Sequence, residues 1–160
     1  MTDLEQAIFL RQAGEHDQAR ALLLDLIERD SANPAVWYQC AWVHDVMERE
    51  REAVLFYRKA LELGIAGEDR EGAYLGLGST YRTLGMYADA GAVLEQAMRE
   101  YPENREFLVF YAMVLHNRKE HDKAMEIVLR QLAETSGDKG IQSYKQAILF
   151  YSDKLVEIWE

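Results

Sequence analysis

Three spacings in the chain invite a chemical reading. Cys40, His44 and Glu48 follow one another at four-residue steps, which on a helix places a thiol, an imidazole and a carboxylate on one face. His116 and His121 stand five apart, and Gly72-x3-Gly76-x-Gly78 is glycine-dense in the manner of a phosphate-cradling loop. Each has a plainer account. Cys40 and His44 occupy places held elsewhere in a periodic pattern by Leu77, Tyr81, Tyr111 and Leu115, so core packing explains them, as it does most free cysteines. His116 and His121 flank a predicted turn, and no other His, Cys or carboxylate cluster has metal spacing. A dinucleotide fingerprint needs glycine three residues after Gly78, where Tyr81 stands; no strand precedes it, and no Gly-Lys-Ser/Thr follows. No Ser/His/Asp or Cys/His arrangement stands out, and the run Glu48-Arg49-Glu50-Arg51-Glu52 reads as a solvated corner. The expectation is a non-enzymatic protein with no catalytic centre, no metal and no cofactor.

Composition narrows the partners. The 160 residues carry 18 Lys+Arg against 28 Asp+Glu, a net charge of −10, which argues against a phosphate-backbone partner such as nucleic acid. The one cysteine excludes an internal disulfide framework. Apolar residues make up 49%, too many for a disordered chain. A chain this long buries roughly 70% of its unfolded surface, and one domain over residues 1–160 is expected. The start, Met1 to Gln6, is acidic and lacks the basic region of a signal peptide, and no apolar run approaches the ~20 residues that cross a bilayer. These features predict a soluble, cytoplasmic protein that engages no membrane. Two prolines and almost no β-branched alternation predict an all-helical chain.

The elements that position these residues come from internal repetition. Alanines 19, 53, 90 and 124 are spaced 34, 37 and 34 apart, each near the start of a predicted helix. Other rungs keep the same register: Ala7, Ala41, Gly78 and Ala112; Leu10, His44, Tyr81 and Leu115; Leu23, Tyr57, Leu94 and Val128. Small residues at the first two rungs let helix backbones approach closely, and larger neighbours a turn away fill the space between. Gly14 and Gly85 suit a left-handed helix end before a tight turn, where Glu48 and Lys119 must adopt that conformation at some cost. Helices are predicted near 3–13, 16–29, 34–47, 50–63, 70–84, 87–100, 104–117 and 120–134. Three extra residues near Gly64 to Asp69 are placed in a loop.

The clearest unit reads Tyr74-x2-Leu77-Gly78-x2-Tyr81, then Gly85, Tyr87, Ala90, Leu94, Ala97 and Pro102. It resembles the tetratricopeptide repeat, a 34-residue helix–turn–helix unit. The resemblance covers four units, about 2–33, 34–67, 71–104 and 105–136, with a capping helix near 138–158. It implies an all-α, right-handed superhelical solenoid of four hairpins, whose first helices line a concave groove. Carried over, the groove residues are Ile8 and Arg11 from the first unit, with Tyr38, Trp42 and Asp45 from the second. The third contributes Gly72, Leu75, Gly76, Ser79, Arg82 and Thr83, and the fourth Val109, Phe110, Met113, His116 and Asn117.

Gly72, Gly76, Ser79 and Thr83 form a strip of small residues, with Tyr38 and Trp42 on one side and Val109, Phe110 and Met113 on the other. This arrangement suits an apolar helix or extended segment of a protein partner. The plainer account packs Trp42 and Phe110 between neighbouring hairpins. Arg82 and His116 are candidate polar anchors, and an ion pair from Arg82 to Asp45 is the alternative for the first. Groove positions lack the cations of the family members that clamp a chaperone's C-terminal carboxylate, so that specialised role is rejected. Along the last predicted helix, Ile141, Tyr144, Ile148, Tyr151, Leu155 and Ile158 form one stripe, while Leu149, Phe150, Val156 and Trp159 lie off it. A helix apolar on more than one face suggests a homodimer as a second possibility.

Overall fold

The computed structural model describes residues 1–160, and every element in it is a helix. They are α1 (Asp3–Gln12), α2 (His16–Arg29), α3 (Pro34–Val46), α4 (Glu50–Glu62), α5 (Gly67–Thr83), α6 (Tyr87–Glu100), α7 (Arg105–Asn117), α8 (His121–Thr135), α9 (Lys139–Ser143) and α10 (Lys145–Tyr151). The chain divides into two compact units, Met1–Val93 and Leu94–Glu160, with the boundary inside α6.

Local chemistry sets the helix starts. Thr2 caps α1 in a reciprocal box with Glu5: its hydroxyl accepts from the Glu5 amide at 3.1 Å, and the Thr2 amide donates to Glu5 Oε2 at 2.7 Å. Asn33 and Asn104 cap α3 and α7 by accepting from amides two residues on. Pro34 opens α3, where its fixed φ fits and its missing N–H is no loss.

The turns inside the hairpins share one geometry. In each, the residue after the helix cap bonds back three residues and the next bonds back five, as in Glu48 to Asp45 and Arg49 to His44, which closes the helix end. The position needs positive φ. Gly14 and Gly85 supply it freely, while Glu48 (φ 57°) and Lys119 (φ 66°) adopt it with a side chain attached.

In residues 1–93, α1 packs on α2 and α3 on α4, α2 packs on α3, and α4 packs on α5. The alanine rungs lie at these contacts: Ala7, Ala19, Ala41 and Ala53 are fully buried. The first hairpin and α3 share a core of Ala7, Ala19, Leu23, Val36, Cys40 and Val43, with Phe56 packed against it. α3 also touches α1 and α5, so the first helices of the hairpins lie side by side.

In residues 94–160, α7 packs on α8 and α10 packs on α8. Phe107 is fully buried beside Tyr101, with ring centroids 6.3 Å apart. Arg105 bridges the hairpin through Glu134 at 2.7 Å and Gln131 at 2.8 Å.

Two boundaries differ from expectation. The three extra residues before the third unit lie in α5, not in a loop; the helix starts at Gly67, and Glu68 and Asp69 in its first turn complement the helix dipole. The capping segment is two short helices, not one from 138 to 158. It breaks at Tyr144 (φ −106°, ψ 12°) and ends at Tyr151. Gly140, Ser143, Ser152 and Asp153 are weak helix formers, and the hydroxyls of Ser143 and Ser152 bond to carbonyls three residues back instead of supporting a continuous ladder.

Candidate functional site

Cys40 and His44 are core residues, both fully buried. Burial pushes the Cys40 thiol up to about 12, so no thiolate forms at neutral pH. His44 Nε2 lies 3.1 Å from Arg20 Nε, and its Nδ1 lies 2.6 Å from the Cys40 carbonyl oxygen. Arginine only donates, so Nε2 accepts and the proton sits on Nδ1, donated to that carbonyl. Burial holds the imidazole below its usual pKa, and Cys40 and His44 stay neutral and closed to solvent.

In the first unit the residues around Trp42 form one connected network. The Arg11 guanidinium of α1 lies 3.7 Å from the centre of the Trp42 ring on α3, and its Nε donates to Gln39 Oε1 at 3.2 Å. Trp42 is 38% exposed, whereas Tyr38, at 5.8 Å between ring centroids, is buried. Tyr57 of α4 continues the row 6.3 Å from Tyr38, and its hydroxyl donates to Asp45 Oδ2 at 3.2 Å. Desolvation raises the Asp45 carboxyl, and the Tyr57 hydroxyl bonded to it pulls it back down. Burial raises Tyr57 itself, so it remains a neutral donor.

The small-residue strip is filled from within this unit. A side chain at Gly72 would meet the Tyr38 hydroxyl at 2.2 Å, and one at Gly76 would meet the Tyr57 ring at 2.4 Å. These glycines therefore seat the chain's own tyrosines, and the open surface begins at Trp42. Ser79 and Leu75 are half-buried and Thr83 exposed; the Thr83 hydroxyl donates to the Ser79 carbonyl at 2.8 Å. Ile8 and Arg82 are half-buried.

In the second unit, Val109, Phe110 and Asn117 are half-buried and Met113 is 39% exposed. The turn after α7 brings His116 and His121 together, their Nδ1 atoms 3.1 Å apart and ring centroids 4.6 Å apart. No group of three or more His, Cys, Asp or Glu is placed to hold a metal. No helix is long and apolar enough to cross a membrane.

Sequence reasoning missed Gln39 and Tyr57 as buried parts of this network. Tyr57 carried a signal: a tyrosine on a buried rung must find its hydroxyl a partner, and Asp45 lies one hairpin turn away.

The tetratrico peptide repeat family model matches residues 33–155. Among solved structures, the chain is similar to YrrB, described as a TPR protein with an unusual peptide-binding site, at 21% identity and a TM-score of 0.72, over 95% of this chain and 77% of that one. It is also similar to the APC/C hetero-tetramer Cut9-Hcn1, at 18% identity and a TM-score of 0.73, over 94% of this chain and 29% of that one. No curated protein sequence matches the chain significantly. At these identities the likeness is one of fold, and the matched model covers most of the chain. The chain belongs to the tetratricopeptide repeat family.

Proposed function

We propose that the protein is a binding module that holds a peptide, helix or protein segment on the face that α1, α3 and α5 present around Trp42. One observation carries this reading: Trp42 is over a third exposed while the groups around it are fixed. Arg11 stacks on its ring, Gln39 orients Arg11, and the Tyr38–Tyr57–Asp45 row backs it from within the fold. An aromatic ring with an arginine over it, exposed yet held rigid, loses little freedom when a partner covers it. The peptide-binding description of YrrB agrees with this reading.

The test is a peptide selected from a random display library against the intact protein, then titrated calorimetrically. Trp42→Ala weakens binding at least about tenfold, or roughly 1.4 kcal/mol, with unchanged helical content by circular dichroism. Equal affinity for the variant would remove this face from consideration.

A further inference from the structure

The rung of Leu23, Tyr57, Leu94 and Val128 is an internal standard for how each hairpin's second helix is sealed. Leu23 is 0% exposed, Tyr57 3% and Leu94 0%. Leu23 lies in the core with Val36, Cys40 and Val43 of α3, and the Tyr57 ring lies on Gly76 of α5. In both cases the cover is the first helix of the next hairpin. Val128 breaks the series at 42% exposed, and Met125 and Leu132 on the same stripe are 48% and 42% exposed. The later helix that packs on α8 is α10, with seven residues against fifteen in α8. It is about 10 Å long against about 22 Å, too short to cover the stripe. Residues 152–156 then run beside the start of α8, leaving a cleft of about 220 Å³ lined by Asp122, Glu126, Leu155 and Val156. Of seventeen large apolar side chains exposed in the chain, ten lie between Met125 and Trp159.

The cover for this face is constrained by the rest of the chain. The places of Val36, Cys40 and Val43 in α3 are held in α1, 34 residues earlier, by Thr2, Gln6 and Phe9. Two of the three are polar, and Thr2 is committed to its capping box. The first helix of another copy is therefore a poor cover, and a head-to-tail filament lacks its second half. Charge points the same way. Residues 1–120 carry thirteen Lys/Arg against twenty-one Asp/Glu, while residues 121–160 carry five against seven. Copies repel over most of their surface, but the last hairpin and tail mix both signs, as in the pairs Arg130–Glu126 and Lys154–Asp153. A face that meets its own image needs that near-balance.

We propose that the face of α8, α10 and the C-terminal tail is a twofold homodimer interface, in which each copy supplies the cover that the other's α8 lacks. The exposed apolar side chains between Met125 and Trp159 present on the order of 1,000 Å² in all, so a face that gathers most of them reaches the ~800 Å² per partner of a stable interface. Such a contact closes on itself and uses none of the residues around Trp42.

Sedimentation equilibrium of the full chain over about 1–100 μM tests this. The wild type sediments as a dimer. Val128→Asp and, separately, Val156→Asp raise the dimer dissociation constant about 100-fold with unchanged helicity, because both side chains already meet water in the single chain. Leu55→Asp, at a position on α4 whose exposure of 62% lies between those of Val128 and Val156, leaves it unchanged. A wild type that stays monomeric throughout overturns the proposal. So does a dimer that survives both substitutions, or one dissolved by Trp42→Ala instead.

Discussion

Residues 1–93 and 94–160 are built from the same repeat, yet they finish their packing differently. In the first unit every second helix is succeeded by a full-length first helix, and polar groups left at the contacts are paired: His44 with Arg20, Tyr57 with Asp45. In the second unit α8 is succeeded by a broken cap; beyond residue 120 only Ala124, Ala133 and Ser152 are buried. A repeat helix cannot bury its apolar face alone. The same rung residue is therefore core in one unit and surface in the other, depending on the length of the helix that comes next.

The largest effect that tests this contrast compares Leu23→Ala with Val128→Ala. Leu23 is fully enclosed, so truncation leaves a cavity and costs about 3 kcal/mol. Val128 is 42% exposed, and its truncation costs under about 1 kcal/mol at concentrations where the chain is monomeric. Urea denaturation midpoints read both. Equal costs would mean that α8 is sealed after all.

Next in size is Gly76→Ala. In an exposed helix this change stabilises by roughly 1 kcal/mol. Here the new methyl meets the Tyr57 ring at 2.4 Å, and Tyr57 is held by Asp45 and flanked by Tyr38, so it cannot swing away. The expected cost is about 2 kcal/mol. Pairing it with Tyr57→Leu recovers part of the loss, a non-additivity that thermal melts of the two singles and the double would reveal. Additive costs would show that the glycine and the tyrosine do not meet.

Much of this was legible in the residue pattern, and the rest failed for identifiable reasons. The bounds of α1–α4 and α6–α8 come from alanine rungs, Asn caps and the turn positions, all of which are local. The start of α5 did not, because Gly64 and Gly67 together look like a loop, although only the stretch between them is one. The glycine strip looked vacant because periodicity shows which residues share a face, not which side chain 34 residues back reaches across to it; Tyr38 reaches Gly72 from the neighbouring hairpin. His116 and His121 flank a turn in the sequence pattern, and the tight five-residue closure between Leu115 and Glu120 brings their tilted rings together. The capping stripe continued to Ile158 in hydrophobicity, but Ser152 and Asp153 end the helix before it.

A pH experiment sharpens the contrast further. His44 is buried and neutral, with its pKa lowered chiefly by desolvation. In the unfolded chain it titrates near 6.5. Above that pH its contribution to stability is complete; as pH falls below 6.5 the unfolded state takes up a proton that the folded state refuses, and stability drops toward the folded pKa. The slope reaches at most about 1.4 kcal/mol per pH unit. Replacing the residue by leucine, which the equivalent places 10 and 115 already hold, flattens stability as pH falls below 6.5. An unchanged slope in His44→Leu would assign the acid sensitivity to another group.

The smallest effect concerns the turns, where the two units are alike. Glu48 and Lys119 hold φ of 57° and 66°, and both sit where Gly14 and Gly85 stand in the other repeats. A side chain in that conformation is strained by roughly 1 kcal/mol, and glycine relieves it while giving back some of the gain in unfolded-chain entropy. Both side chains are exposed, so neither substitution removes core contact. Glu48→Gly and Lys119→Gly are each expected to stabilise by about 0.5–1 kcal/mol, and the pair to add, because the turns share no partner. Local rather than global melting would separate the units: amide exchange should slow in α3 and α4 for the first variant and in α7 and α8 for the second. Slowing of both regions by either substitution would show that the two units open together.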